Sequence, residues 1–194
     1  MSQGDGSRDR LEPTSAHALR PDEEEAFAAE ASAWLSDTST PTAWDAALQF
    51  LQRESATYWL ATIGSNRRPH AVPVLAVWDD GRLFFSAGAM TRKARNLDHD
   101  PHCVISVEVE QLDLVVEGTA SRTRDTGTLE RVAAVCASMY GWHVVVNDGR
   151  FDGVAGAPTA GPPPYDVYEV TPTTAFAFPL DPTVTPTRWR FASS

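Results

Sequence analysis

The sequence has almost no lysine: Lys93 stands alone beside fifteen arginines in 194 residues. Such a bias follows from GC-rich coding, which replaces lysine with arginine wherever a guanidinium will serve. A lysine that persists is a candidate for work that needs a compact ammonium, such as holding a phosphate. Cysteine is scarce too. Cys103 and Cys136 stand in neither a CxxC nor a metal-type spacing, which argues against a disulfide scaffold or a zinc ribbon and reads as two buried, reduced thiols. No run of about 18 apolar residues exists to form a membrane-spanning helix. The N-terminus lacks a basic-then-apolar signal segment, so the expected location is the cytoplasm, with no membrane partner. Cationic side chains are also in deficit. Sixteen Lys and Arg against 26 Asp and Glu leave a formal net charge of -10, which excludes nucleic acid as the main partner, because binding a phosphate backbone needs a large basic footprint.

The rest is ordinary for a globular protein, with 42% hydrophobic and 22% charged residues. The length suits one domain with additions at its ends. Residues 1–30 carry eight acids and three arginines, so half of the net charge lies in an N-terminal extension. Residues 1–20 are poor in apolar side chains and are expected to be disordered. From Pro21 to Leu35 the spacing of Phe27, Ala31, Trp34 and Leu35 predicts a helix, and 21–42 reads as that helix and a linker. A second helix is expected over Ala43–Arg53, with Trp44, Ala47, Leu48 and Leu51 on one face.

Residues 43–194 are expected to form the main domain, and from Thr57 the pattern is that of strands. Tyr58–Ile63 is closed by a turn at Gly64-Ser65-Asn66. His70–Trp78 is closed by Asp79-Asp80-Gly81, a hairpin signal. Arg82–Ser86, Cys103–Val109, Leu112–Arg122, Asp166–Phe178 and Thr187–Phe191 are the others. Short helices are expected at Thr91–His99 and Asp125–Tyr140. Asn147–Pro164 reads as a long Gly/Pro loop, either a lid or a surface connector. Short strands, tight turns and no βαβ alternation indicate a mainly β, antiparallel barrel with short helices.

The chemistry is concentrated in Phe84-Phe85-Ser86-Ala87-Gly88-Ala89-Met90-Thr91-Arg92-Lys93-Ala94-Arg95-Asn96-Leu97, a strand, a small-residue turn and a helix start. Thr91 is a good N-cap. Arg92 and Lys93 follow it, where the helix dipole disfavours cations. The other helices open with Asp22-Glu23-Glu24, Asp45 and Asp125 and obey the dipole rule. A bound anion would reverse the energetics, with backbone N–H groups, a guanidinium and an ammonium converging on a phosphate and the Ser86 hydroxyl adding a donor. A solvated basic face would give the same charge pattern. Pro73 lies within an otherwise good strand, Val72-Pro73-Val74, and marks an edge or an interruption where backbone groups could face a ligand.

These residues together resemble a known family. Leu60-Ala61-Thr62, Pro69-His70-Ala71-Val72-Pro73-Val74, Leu83-Phe84-Phe85-Ser86, Thr91-Arg92-Lys93-Ala94-Arg95-Asn96-Leu97, Asp100-Pro101 and Val115-Val116-Glu117-Gly118-Thr119-Ala120 look like the pyridoxamine 5'-phosphate oxidase-like FMN-binding split-barrel superfamily. Thr187-Arg188-Trp189-Arg190-Phe191 resembles a tail of its flavin and deazaflavin branch. The resemblance implies a six-stranded split barrel that forms a homodimer, with cofactor sites at the dimer interface. It implies that Thr91, Arg92 and Lys93 hold a cofactor phosphate, that Phe85 and Ser86 line the phosphate and ribityl chain, and that Val72, Pro73 and Val74 run along the ring system. By the same resemblance Trp189 and Arg190 lie near a cofactor, that of their own or of the partner subunit. The implied activity is that of an oxidoreductase using FMN or the deazaflavin coenzyme F420 to move hydride to or from a small-molecule substrate. The alternative is a flavin- or haem-binding protein without turnover. The Arg and His pattern that grips pyridoxamine phosphate in the true oxidase has no clear counterpart, so that activity is not expected. No catalytic acid or base is demanded, and no metal site is expected at His99 and His102.

Overall fold

A computed structural model describes residues 29–33, 40–51, 56–110, 112–153, 161–180 and 184–192. Its centre is β10 (Tyr165–Pro179), a 15-residue strand with other strands on both edges. On one edge it pairs antiparallel with β7 (Leu112–Thr123), and the ladder continues through β6 (His102–Val109) and β2 (Tyr58–Ile63) to β3 (Pro69–Val74). At Leu75 the chain leaves that ladder. It continues as β4 (Ala76–Asp79), which pairs with β5 (Arg82–Gly88), and β5 returns to the other edge of β10 at residues 165–170. The sheet therefore closes on itself except between β3 and β5. Among the described residues β3 pairs with β2 alone, the edge position that Pro73 predicts.

Two strands share one edge of β10. Beyond β5, residues 174–177 pair with β11 (Thr187–Phe191). The register between β10 and β7 shifts between Pro172 and Thr174, a bulge that bends β10 from one partner to the next. Gly118 faces this bend, and a Cβ there would overlap the carbonyl oxygen of Thr171.

The helix α1 (Trp44–Leu51) fills one end of the barrel with Trp44, Ala47, Leu48 and Leu51, the face read from its spacing. Trp44 packs edge-on against Trp78, Trp189 and Phe191, with ring centroids 5.7, 5.1 and 5.0 Å away. The helix α3 (Thr126–Tyr140) covers the outer face of β4 and β5. Leu129, Val132 and Cys136 pack there with Val77, Phe84, Phe151 and Tyr165. Burial on both faces explains why β4 and β5 read as continuous apolar runs rather than alternating ones. Between them Asp80 and Gly81 have positive φ, as the hairpin signal requires.

The fold is mainly antiparallel β with three short helices, as expected, but the sheet has eleven strands rather than six. Part of the excess is local: β4 is split from β3 at Leu75. The long loop expected over Asn147–Pro164 starts inside a hairpin, β8 (Val145–Asn147) and β9 (Arg150–Asp152). The helix expected over Pro21–Leu35 is overturned in its described part. Ala29–Ala33 is β1, paired antiparallel with β11. Alanine-rich sequence favours helix locally, but an open strand edge supplies backbone partners that outweigh that preference. The remainder of that segment and residues 1–20 lie outside the described residues. No described helix is long and apolar enough to cross a membrane.

Candidate functional site

The remaining helix, α2 (Arg92–His99), follows the end of β5. Thr91 caps it. Its Oγ1 accepts from the Ala94 N–H at 3.3 Å and donates to the Gly88 carbonyl at 2.7 Å, which ties the cap to the strand end. Arg95 donates to the Met90 carbonyl at 2.7 Å and closes the turn from outside. Asn96 is buried and donates its Nδ2 to Thr62 Oγ1 at 2.9 Å, fixing the helix on β2. At the far end Arg122 pairs with Asp98 of α2 at 2.6 Å and with buried Asp166 at 3.0 Å, and Arg124 joins Asp166 at 2.9 Å.

With the helix held at both ends, the position of its cations is determined. α1 carries Asp45 in its first turn and α3 is capped by Asp125, whereas the first turn of α2 has no acid. Arg92 is exposed. Lys93 is only 5% exposed, and among the described residues no carboxylate or hydrogen-bond acceptor meets its ammonium. Burial pulls its pKa below the ordinary lysine value, because desolvation penalises the charged form. A largely buried lysine with no counter-charge among the described residues, at a helix N-terminus, is well placed to take an anion.

The surroundings carry the same sign. Residues 56–78 and 83–97 contain no Asp or Glu, yet hold Arg67, Arg68, Arg92, Lys93 and Arg95, whereas Arg82, at the far end of β5, is paired with Glu169. In a chain of net charge -10 this segregation is large. A surface cleft of about 340 Å³ lies between the β2–β3 turn and α2, lined by Gly64, Ser65, Asn66, Arg92, Arg95 and Asn96. His70 on β3 also sits in this field. Desolvation lowers its pKa, and Arg92 and Lys93 lower it further.

The structure gathers some of the sequence-predicted site and disperses the rest. Thr91, Arg92 and Lys93 lie together at the start of α2, and Ser86 lies half-buried on the strand leading to them. Val72, Pro73 and Val74 form the end of β3 beside the split, half-buried, exposed and buried in turn. Phe85 points the other way: it is buried in the core and stacked on Tyr168, with centroids 5.1 Å apart and planes 4° from parallel. Trp189 is fully buried, and its indole N–H donates to the Thr42 carbonyl at 2.9 Å. Its side chain is a core element of its own chain. Arg190 is exposed on β11, opposite Thr174, whereas Ser86 lies opposite Val167. At about 3.3 Å per residue, the two positions are roughly 23 Å apart along β10 of the same chain. The clamping residues Asn96, Thr62 and Arg95 and the acid-free setting were not singled out from the sequence. The missing acids were the signal available there.

The family model for pyridoxamine 5'-phosphate oxidase matches residues 43–178. No curated protein matches the sequence. Solved structures with the same fold include a haem-binding protein from Mycobacterium smegmatis, at 17% identity and a TM-score of 0.55, covering 73% of this chain and 55% of that one. A conserved protein from Mycobacterium tuberculosis has 17% identity and a TM-score of 0.55, over 73% of this chain and 88% of that one. A candidate pyridoxamine 5'-phosphate oxidase from Listeria innocua has 18% identity and a TM-score of 0.51, over 71% and 98%. At these identities the likeness is one of fold, and the chain spans little more than half the length of the haem-binding protein.

Proposed function

The chain belongs to the pyridoxamine 5'-phosphate oxidase family, and on that premise we propose that it is an oxidoreductase whose cofactor, FMN or coenzyme F420, docks by its phosphate at the start of α2. One observation carries this reading: Lys93 is 5% exposed and has no counter-charge among the described residues, beside Arg92 at a helix N-terminus with no acid in its first turn. Thr91, Arg92, Lys93 and Ser86 would hold the phosphate. The edge of β3 at Val72, Pro73 and Val74, unpaired among the described residues, would lie along the ring. The bound cofactor would supply hydride transfer to or from a small organic substrate, and the chain would supply position and a positive field.

The proposal includes a homodimer. Trp59 is 51% exposed on the outer sheet face, in a row across five strands with Pro73, Ser106, Val115 and Phe176. A second copy on that face would cover the tryptophan and complete the walls beside β3. Oxidation of pyridoxamine phosphate is not proposed.

A second reading, retention of the ligand without turnover, draws on the haem-binding protein that shares this fold. The test is direct. Native mass spectrometry of the purified protein is expected to show a dimer carrying one FMN or F420 per chain, and the bound cofactor is expected to be reduced by a donor and reoxidised by an acceptor. A loaded protein inert to every donor and acceptor would favour the second reading, and a protein that binds neither cofactor would reject both.

A further inference from the structure

Arg92 and Lys93 are not the only groups of this region that can carry positive charge. His70 lies directly opposite Thr62 in the β2–β3 ladder. Residues paired this way project to the same face, with Cβ atoms about 4.5–5.5 Å apart. The face is known, because Thr62 Oγ1 accepts from Asn96 of α2. Arg92 and Lys93 precede Asn96 by four and three residues, so they lie on the same side of the helix one turn closer to its start. His70 is therefore directed at the basic end of α2. The alternation of β3 agrees. Pro69, Ala71 and Pro73 are exposed on its outer face, and His70, Val72 and Val74 are half-buried or buried on its inner face.

The groups facing the imidazole are Thr62 from β2, uncharged, and Arg92 and Lys93 from α2, both cationic. No carboxylate comes from β3, from the turn before it or from the first turn of α2. The ring has no hydrogen-bond or ion-pair partner among the described residues. Desolvation and the two cations lower its pKa in the free protein. An anion docking on those cations would cancel their field and give an N–H donor something to meet.

We propose that His70 is a third, proton-dependent arm of the anion site, protonated on docking and contributing its N–H to the phosphate beside Arg92 and Lys93. This rests on the reading that a phosphorylated cofactor docks there. The sign follows from linkage. Docking raises the affinity of His70 for a proton, so lowering the pH from 8 towards 5.5 strengthens the contribution of His70 to binding.

The experiment titrates FMN, coenzyme F420 and riboflavin into the full-length wild type and His70→Gln at pH 8.0 and pH 5.5. Comparing the two proteins with one ligand at one pH cancels the ionisation of the ligand itself. For whichever phosphorylated cofactor binds, the Kd ratio of variant to wild type is expected to be about one at pH 8.0 and roughly tenfold at pH 5.5, as for a charged hydrogen bond. For riboflavin, which lacks the phosphate, it is expected to stay about one at both. A ratio that does not change with pH, or that changes equally for riboflavin, would overturn the role of His70 while leaving the cofactor reading intact. Failure of both FMN and F420 to bind wild type at either pH would overturn the cofactor reading, and this proposal with it. His70→Asn checks that the effect belongs to the lost charge.

Discussion

Asn96 donates to Thr62 at 2.9 Å across the buried seam between α2 and β2. This bond sets the height of α2 on the barrel, and with it where Arg92 and Lys93 stand. Removing one partner leaves the other buried and unsatisfied. Asn96→Leu or Thr62→Val alone is expected to cost about 1–3 kcal/mol. The double variant should cost less than the sum, because neither polar group is then stranded. Urea unfolding of the four proteins measures this coupling, and strict additivity would show that the bond does not hold the helix.

Gly118 sits where β7 meets the bend in β10. A methyl group there would collide with the Thr171 carbonyl oxygen, which belongs to backbone and cannot rotate away. Gly118→Ala is expected to destabilise by roughly 1–3 kcal/mol, the range for overpacking. Denaturant midpoints unchanged from wild type would mean that the bend is looser than described.

Burial holds the thiols of Cys103 and Cys136 and the hydroxyls of Tyr140 and Tyr168 up at about 12. Each group keeps its proton more firmly when folded than when unfolded. Its contribution is complete below the unfolded value, near 9 for the thiols and 10 for the phenols, and is lost as pH rises towards 12. The urea midpoint should therefore be flat from pH 7 to 8.5 and fall steeply above pH 9. A thiol reagent at pH 8 should leave both cysteines unmodified until denaturant is added. A midpoint steady to pH 11 would contradict this account.

Trp59 tests the proposed dimer. If a second copy covers it, Trp59→Asp places a charge inside the contact. Sedimentation should then report a dimer for wild type and a monomer for the variant at micromolar concentration, with weaker cofactor binding. A variant that remains dimeric would place the interface elsewhere.

The sequence was most legible where one residue type has one physical meaning. Asp80-Gly81 gave a hairpin, Thr91 a cap, and Trp44, Ala47, Leu48 and Leu51 a buried face. The same turn signal, Asp148-Gly149, also has positive φ at both residues. It was hidden by the Gly- and Pro-rich sequence that follows it, so β8 and β9 were read into a loop. β1 was illegible for a different reason: nothing within Ala29–Ala33 encodes pairing with a strand 162 residues away (Ala29 with Phe191). The site shows a third limit. Phe85 and Ser86 are neighbours in a strand, as are Trp189 and Arg190, and strand geometry sends neighbours to opposite faces. A resemblance that names both members of such a pair cannot place both side chains at one cleft. Here the large aromatic member of each pair packs into the core.

The central claim is that an anion completes the charge of Lys93. The most direct measurement is the dissociation constant of FMN and of coenzyme F420 for wild type and for Lys93→Met, which keeps the buried stem and removes only the ammonium. For the cofactor that binds, the account predicts a loss of about 1.5–3 kcal/mol, or roughly ten- to a hundredfold in Kd. An unchanged Kd in a variant that remains folded would contradict it.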